Sequence, residues 1–407
     1  MYIKYIYCLE FPMKSYRLYD AFEDLPAHKI VAEISTGALS HNFSTLRSLV
    51  PHSEPICVVK ADAYGHVADI CVRVLLSCGC RFFAVSCIEE AISVRKICDG
   101  EGAKANILIL GYTAPSLASS LAEYDLTQTL LSLEYAKELS AAAILSGVSV
   151  RAHVAVDTGM NRIGVCANTQ AECISAADEI VEISRLGGII LEGAFTHFAR
   201  SDEELSVTLS DDSHTRLQGE RFIRVKRLVE ERGLKLFYHA CNSAATVRFP
   251  EFAFDGVRFG IMLYGIYPSR YLGGLGLMPV MKLKTLISHI HSVPVGESVS
   301  YGGIYKAQSE TYVATLPIGY ADGFLRSYSG APVTVRTANG DLKARVIGRV
   351  CMDQCMIDVT GLDVSVGDEV ILFGEDPSDL RRLATLADTI EYECLCLISA
   401  RVPRIKK

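Results

Sequence analysis

Residues 55–85 read PICVVKADAYGHVADICVRVLLSCGCRFFAV, and this stretch decides the fold. It opens on the apolar run PICVV (55–59) and closes on a second apolar run, RFFAV (81–85), with a longer mixed segment between them. Short runs rich in β-branched and aromatic residues are typical of buried strands. Two strands separated by a helix-length segment pair in parallel, so the stretch predicts a β-α-β unit.

The same alternation continues as far as Arg258, with helix-spaced segments such as IEEAISVRKIC (88–98) and HTRLQGERFIRVKRLVEER (214–232) between the runs. The further strand candidates are ANILIL (105–110), LTQTLL (126–131), VRAHVAV (150–156), GIILEGAF (188–195), LFYHA (236–240) and the stretch ending at Val257. Eight such units predict an α/β fold, a (β/α)₈ TIM-type barrel, and the alternative is a doubly wound sheet. The last strand is weak in sequence, so the count of eight rests partly on the resemblance described below.

The pattern changes after the Gly-rich stretch YPSRYLGGLGLMP (267–279), which we interpret as a linker. Beyond it, short alternating runs such as TYVATL and DEVILF predict a smaller, mostly β C-terminal domain. We therefore divide the chain into an N-terminal extension (1–28), a barrel (29–270) and a C-terminal β domain (271–407). The early run IVAEI precedes the barrel strands and fits either domain.

Composition narrows the classes of function. The 407 residues are enough for two domains, and half of them are apolar. A net charge of −7 without a basic block argues against a nucleic-acid partner. No run approaches the about 20 apolar residues that cross a bilayer, and the N-terminus lacks a signal-peptide pattern. The 14 cysteines form no C-x-x-C pair, so we expect reduced thiols, no metal site and a cytoplasmic protein.

Polar residues follow the predicted barrel strands at the ends where catalysis takes place in this fold. These strand-end residues are Lys60, Arg162, His197, Asn242, Ser243 and Arg258. Their side chains are expected to converge on one rim of the barrel.

Each of these residues also has an ordinary explanation. Lys60 at the end of an apolar strand is costly to keep charged and so is suited to forming an imine, but a lysine can also extend its amine to water. His197 is either a general base or a hydrogen-bonded core residue. Asn242 is either part of a phosphate site or a helix cap. Arg162 could be a solvated side chain on a turn, and Arg258 could be a partner in an ion pair. Their common order along one rim favours the functional explanation.

The motifs around these positions resemble those of the alanine racemase family, whose members use pyridoxal phosphate (PLP) and have a barrel followed by a β domain. The resemblance covers about residues 29 to 404. The matching motifs are VVKADAYGH, DTGMNRIG, THFARSD, CNSAAT, FDGVRFGIMLYG, VSYGGIY, PIGYADGFLR, VIGRVCMDQCMIDV and RVPRI.

The resemblance implies roles for five catalytic residues. Lys60 would hold the cofactor and exchange a proton on one face of the substrate. Tyr301, supplied by the partner subunit of a homodimer, would be the base on the other face. Arg258, with His197 behind it, would bind the ring nitrogen, and Arg162 would lie near the cofactor's phenolic oxygen.

The resemblance also implies binding roles. The cofactor phosphate would contact residues of several loops, which are Tyr64, Ser243, Gly260, Ile261 and Tyr392, with Asn242 beside them. The substrate would meet Met352 and Asp353 across the dimer, together with Arg162 and Tyr301. An access corridor would be lined by Tyr320, Asp322 and Arg326.

Three positions depart from the family pattern. Val67 stands where the family usually has glycine, and Phe259 stands where it has proline. Ala155 replaces a lysine that commonly carries a carbamate and supports the arginine at Arg162. A guanidinium without a partner in a partly buried site is costly, so we expect a chloride ion or an acceptor side chain near Arg162, with chloride preferred.

The resemblance implies a racemase that interconverts L- and D-alanine and supplies D-alanine for cell-wall synthesis. Three alternatives remain open at this point: a racemase of serine or of broader specificity, a PLP-dependent decarboxylase, and a PLP-binding protein without turnover. A hydroxyl group that merely adds to an apolar pocket is a weak basis for rejection, so serine is the nearest competing substrate.

Overall fold

A computed structural model describes residues 29–203 and 212–407 of the chain. The N-terminal extension predicted over residues 1–28 lies outside the described residues. The described part contains a closed parallel barrel and a second, mostly antiparallel sheet. Within it, no helix has both the length and the apolar character required to cross a membrane. Every cysteine that lies in these two ranges is free.

The first elements of the described residues are β1 (Ile30–Ile34) and helix α1 (Thr36–Leu49), and the barrel strands follow. The next strands in order are β2 (Glu54–Val58), β3 (Phe82–Val85), β4 (Asn106–Ile109), β5 (Thr127–Leu130), β6 (Val150–Asp157), β7 (Val165–Cys166), β8 (Ile189–Phe195), β9 (Phe237–His239) and β10 (Gly256–Phe259). All of them except the short β7 form an eight-stranded parallel ring. The ring is closed because β10 pairs with β2 and β5 pairs with β6. The predicted TIM-type barrel is therefore confirmed.

Nearly continuous burial explains why these strands form a barrel. All four residues of β3, β5 and β10 are buried, as expected for strands with the packed interior on one side and helices on the other. The helices of the barrel are α2 (Lys60–Gly65), α3 (Ala68–Ser77), α4 (Ile88–Gly100), α5 (Ala118–Glu123), α6 (Leu133–Ser146), α7 (Gln170–Ser184), α8 (Asp212–Glu231) and α9 (Ser243–Arg248).

The second sheet has the alternating burial of strands that are covered on one face, as in β11, where every second residue is buried. Its strands and those of an attached hairpin are β11 (Met281–Leu286), β12 (His289–Val293), β13 (Ser298–Val299), β14 (Tyr305–Lys306), β15 (Thr311–Leu316), β16 (Pro332–Thr337), β17 (Gly340–Ile347), β18 (Cys355–Asp358), β19 (Glu369–Phe373) and β20 (Arg404–Lys406). Helices α10 (Asp379–Leu386) and α11 (Glu391–Leu397) follow β19. The predicted β-rich C-terminal region is thus confirmed.

Strand β1 belongs to the second sheet. It pairs antiparallel with β11 and parallel with β20. The run IVAEI, whose domain the sequence left open, is therefore part of the C-terminal sheet although it precedes the barrel.

Contacts between the two domains fix the turn that follows Lys60. The fully buried Arg404 donates from Nε to the Gly65 carbonyl at 3.2 Å and from one terminal nitrogen to the Ile398 carbonyl at 2.7 Å. Gly65 has a φ of +79°, and a Cβ there would lie 2.8 Å from the Leu395 carbonyl oxygen. Only glycine fits both this backbone conformation and this close approach. The second domain therefore supports the loop that carries the candidate cofactor lysine.

Candidate active site

Lys60 begins a turn with an unusual backbone. Four consecutive non-glycine residues, 61–64, have φ between +51° and +55°, which is a left-handed helical turn. This conformation costs L-residues about 1–2 kcal/mol each, so tertiary contacts have to hold it. The Ala61 N–H donates to Glu90 Oε1 at 2.7 Å, and the Ala68 N–H donates to Asp62 Oδ1 at 2.7 Å. These two carboxylates clamp the turn at its two ends.

The surroundings of Lys60 favour its neutral form. Burial lowers the pKa of the amine, and the nearby Arg162 guanidinium lowers it further, while the Glu90 carboxylate acts in the opposite direction. A neutral amine is the nucleophilic form that adds to a carbonyl. The geometry therefore supports the assignment of Lys60 over a lysine that reaches out to water.

Arg258 is buried, and its two terminal nitrogens are held by carbonyl oxygens and imidazoles. One of these nitrogens donates to His239 Nδ1 at 2.8 Å, and the other donates to the carbonyls of Thr196 at 2.7 Å and Ala240 at 2.8 Å. Burial lowers its pKa to about 10. Arg258 lines the cavity beside Lys60, and within the described ranges no protein acceptor takes its Nε. One donor thus remains for a ligand.

His197 lies behind this guanidinium. Its Nδ1 accepts from a terminal nitrogen of Arg258 at 3.2 Å, because an arginine only donates. Burial, followed by the charges of Arg258, Arg162 and Lys60, lowers the pKa of His197 to about 3. The imidazole is therefore neutral, and of the two explanations that the sequence allowed, a hydrogen-bonded histidine fits this geometry.

A group of residues around Gly260 forms a candidate anion cradle in the lining of the same cavity. The Gly260 N–H donates to Ser243 Oγ at 2.8 Å, and a Cβ on Gly260 would lie 3.0 Å from the Tyr64 hydroxyl. Asn242 caps α9 by accepting from the Ala245 N–H at 2.9 Å. A hydroxyl pair and backbone amides grouped around a glycine suit a phosphate group.

These residues surround one cavity of about 400 Å³. Ten of the predicted site residues line it: Lys60, Tyr64, Arg162, His197, Asn242, Ser243, Arg258, Gly260, Ile261 and Tyr392. The convergence expected from the strand ends therefore holds in the structure.

Three predicted residues lie elsewhere in the same chain. Tyr301 is 67% exposed on the turn between β13 and β14, and Met352 is 54% exposed. Asp353 forms an ion pair with Arg401 at 2.9 Å. None of the three is among the described residues that line the Lys60 cavity.

The exposed residues are nevertheless linked to each other. Ser300 Oγ donates to the Arg349 carbonyl at 2.6 Å, and the Tyr320 N–H donates to the Cys351 carbonyl at 3.0 Å. We call residues 300–304, 320 and 349–353 the Tyr301 surface. Of the predicted corridor residues, Tyr320 and Arg326 are exposed, while Asp322 is buried and its Oδ2 accepts from the Gly319 N–H at 3.0 Å.

Arg162 occupies the loop after β6, near Lys60, His197 and Arg258. Across residues 29–203 and 212–407, its guanidinium makes no hydrogen bond or ion pair with a protein group. Ala155 is buried nearby on β6. Its backbone packs closely on Gly164, since a Cβ added to Gly164 would lie 2.8 Å from the carbonyl group of Ala155. Of the other two departures, Val67 adopts a φ of +68°, a conformation that is strained for a β-branched residue and unstrained for the glycine usual in the family, and Phe259 is fully buried in β10.

Sequence reasoning missed three residues of this site. Glu90 accepts from the N–H of Ala61 and, through its other oxygen, from the N–H of Ser86 at 2.8 Å. Asp202 lines the cavity, and burial raises its pKa. His239 accepts from Arg258. Asp202 and His239 carried a signal, since each stands at or just beyond the end of a predicted strand, whereas Glu90 lies within a helix and carried none.

Comparison with known proteins identifies the family. Residues 34–268 match the alanine racemase N-terminal domain, and residues 280–406 match the alanine racemase C-terminal domain. The chain belongs to the alanine racemase family. The alanine racemase of Clostridium tetani is 41% identical over 383 residues, covering 92% of this chain and 94% of that protein. That of Methanococcus maripaludis is 37% identical, covering 93% and 99%.

Solved alanine racemases share the fold. The Clostridium difficile 630 alanine racemase superposes with a TM-score of 0.84 at 36% identity, covering 94% of this chain and 97% of that one. Its complex with cycloserine gives a TM-score of 0.82 at 35% identity, with 94% and 96% coverage. The cofactor of the family is PLP, and the cavity fits it, since it combines an amine of lowered pKa, a free Arg258 donor and the Gly260 cradle.

The Glu90 contacts generate a first prediction. Glu90→Gln should weaken the left-handed turn, because a neutral amide has one acceptor and would turn its NH₂ toward a backbone donor. We expect a loss of about 1 kcal/mol of unfolding free energy, the usual worth of such a hydrogen bond, measured by urea denaturation. The pKa of Lys60 should also fall, because the Glu90 charge raises it.

Glu89→Gln is the matched control, since Glu89 is exposed in the same first turn of α4 and its loss changes the helix charge equally. It should leave both the pKa of Lys60 and the stability close to those of the parent. Equal effects of the two substitutions would show that the clamp on the turn contributes nothing.

Proposed function

We propose that this chain interconverts L- and D-alanine with PLP bound to Lys60. The observation that carries the proposal is the cavity in which the Lys60 amine faces the buried Arg258 and the Gly260 cradle. When bound, the cofactor withdraws electrons from the substrate and makes the hydrogen on its α-carbon acidic. The product D-alanine would serve cell-wall synthesis. Free cysteines support a reducing compartment, so we propose that the protein acts in the cytoplasm.

Lys60 would carry the cofactor and move a proton on one face of the α-carbon. Burial and the Arg162 charge lower the pKa of its amine, which makes the protonated amine a better proton donor. Arg258 would donate from Nε to the ring nitrogen. Since a guanidinium gives up its proton only reluctantly, Arg258 would donate a hydrogen bond there without transferring its proton, which would limit side reactions. Tyr64, Ser243 and the backbone of Gly260 and Ile261 would bind the phosphate, with Asn242 and Tyr392 beside them.

A second base on the opposite face would come from another subunit. Tyr301 is exposed and lies outside the cavity of its own chain, which supports a homodimer in which each Tyr301 surface completes the partner's site. Two-fold pairing is the commonest oligomer geometry. Met352 and Asp353 on the same surface would approach the substrate carboxylate, together with Arg162.

Substrate size supports alanine. A cavity of about 400 Å³, lined in part by Tyr392, would hold the cofactor together with a small amino acid. The competing substrate is serine, which adds only a hydroxyl to this pocket.

Lys60→Ala should abolish both the visible absorbance of the bound cofactor and racemisation, because the imine-forming amine and one proton carrier are lost. The test incubates purified protein and PLP with each of several L-amino acids in D₂O and follows optical inversion and α-carbon exchange. Lys96→Ala, which removes an exposed lysine from α4, should keep full activity.

Each other outcome identifies a different function. A higher kcat/KM for serine would make the chain a serine racemase. Release of CO₂ would support the decarboxylase, and cofactor absorbance without exchange would support a binding protein. Substantial activity of Lys60→Ala at saturating PLP would refute the assignment of Lys60.

Subunit sharing predicts complementation. Lys60→Ala and Tyr301→Phe should each be inactive alone, yet an equal mixture that exchanges subunits should recover about a quarter of the parent sites, because half of the random dimers hold one intact site. Activity is measured after mixing, and exchange is verified with differently tagged chains. Proven exchange without recovery would place both residues in the site of one chain.

We also propose that a chloride ion supports Arg162 in place of the carbamate. Arg162 is exposed in its own chain and makes no hydrogen bond or ion pair with the described residues, and the neighbouring Lys60 and Arg258 add positive charge. Replacing chloride with a bulky anion should raise KM, whereas bicarbonate should have no effect. Steady-state kinetics in buffers that differ only in their anion provide the measurement.

Ala155→Lys should remove the halide dependence once bicarbonate is present, because a lysine there can form the carbamate. Ala155→Met is the control, since it has similar length and no amine. Parent activity that does not respond to halide would exclude the chloride.

A further inference from the structure

A chain of hydrogen bonds runs from the cavity into the barrel interior. Arg258 donates to His239 Nδ1 at 2.8 Å, and His239 Nε2 lies 3.0 Å from Nδ1 of His153 on β6. Both imidazoles are buried, and His239 is fully enclosed. His153 is not among the residues that line the cavity, so it can affect a ligand only through its neighbours.

The arginine sets the direction of this chain. A guanidinium only donates, so His239 Nδ1 must present its lone pair to Arg258. A neutral His239 then carries its proton on Nε2 and donates it to His153 Nδ1. Burial is the main cause that lowers the pKa of both histidines, and it lowers that of His153 to about 3, so both stay neutral. Only one tautomer of His239 and one of His153 are compatible with both hydrogen bonds of this chain.

The barrel makes room for His153 at a specific glycine. A Cβ on Gly193 would lie 2.6–2.7 Å from the ring atoms of His153. Phe82 meets the same ring edge-on with a centroid distance of 6.0 Å, and Phe237 lies at 6.1 Å. The imidazole is therefore held in one orientation, with Nδ1 toward His239.

We propose that His153 is a positioning residue, which locks His239 in the Nε2–H tautomer and so keeps Arg258 aimed at the cofactor. Without His153, the Nε2 proton of His239 would lose the acceptor that the described residues give it. The Nδ1–H tautomer would then become accessible, and that tautomer turns a donor toward the guanidinium. Arg258 would lose one anchor and shift. The proposal rests on the proposed function only in its last step, the contact between Arg258 and the cofactor.

The experiment compares His153→Ala, His153→Gln and Gly193→Ala in the full-length protein loaded with PLP. The ¹⁵N spectra of histidine-labelled protein report the tautomer of His239, and steady-state assays give kcat and KM. In the parent, His239 should carry its proton on Nε2. In His153→Ala the Nδ1–H form should appear, and kcat should fall about 10-fold with KM nearly unchanged, the usual effect of losing a group that orients a functional side chain.

His153→Gln should restore the parent tautomer and most of kcat, because its amide oxygen can accept from His239. Gly193→Ala should mimic His153→Ala by displacing the ring, and it should add little to His153→Ala in the double variant, since the clash is gone. His52→Ala, which removes an exposed histidine, should change neither readout.

An unchanged His239 tautomer in folded His153→Ala would overturn the proposal, and so would a folded His153→Gln that performs no better than His153→Ala. If His153→Ala does not fold, Gly193→Ala and His153→Gln decide the question in the same way. The tautomer spectra do not depend on turnover. A parent protein without racemase activity would therefore refute the proposed function and leave the tautomer test intact.

Discussion

The buried charge of Arg258 is the constraint on which the rest of the site depends. A cation inside a barrel is costly unless it is fully hydrogen-bonded, and this one is surrounded by carbonyl oxygens of β8, β9 and their loops and by two neutral imidazoles. The strand ends that supply these acceptors also carry His197, Asn242 and Ser243. The hydrogen bonds to Arg258 thus fix the positions of the strand ends on the rim that faces Lys60.

The barrel residues of the site could be predicted from the sequence because the barrel topology determines where their side chains lie. Parallel strands end on one rim, so Lys60, Ser243 and Arg258 come together once the strand count is correct. The left-handed turn after Lys60 could not be predicted, because alanine and tyrosine have no intrinsic preference for it and contacts from Glu90 and Asp62 impose it. Local propensity yields to tertiary contacts there.

The placement of Tyr301 illustrates a second limit. Its motif drew attention to it, but a tyrosine that follows Ser300 and precedes two glycines carries no information about which cavity it serves. In the structure it lies exposed on the β13–β14 turn, outside the cavity of its own chain. The candidate site residues of the chain therefore lie in two places. The Lys60 amine and the anion cradle are in the barrel, and the remaining candidate site residues are on the Tyr301 surface. Spacing along the sequence does not say whether such a residue serves the cavity of its own chain.

The pairing of β1 with β11 and β20 has a consequence for how the molecule is assembled. In topological terms the barrel is an insertion into the second domain, between its first strand and all the others. During synthesis β1 is made before the barrel, and its partner strands are made after it. The strand therefore stays unpaired while the barrel is synthesised and can fold. The C-terminal sheet is complete only when β20 has been synthesised and pairs with β1. Residues near the end of the chain therefore complete the sheet to which β1 belongs.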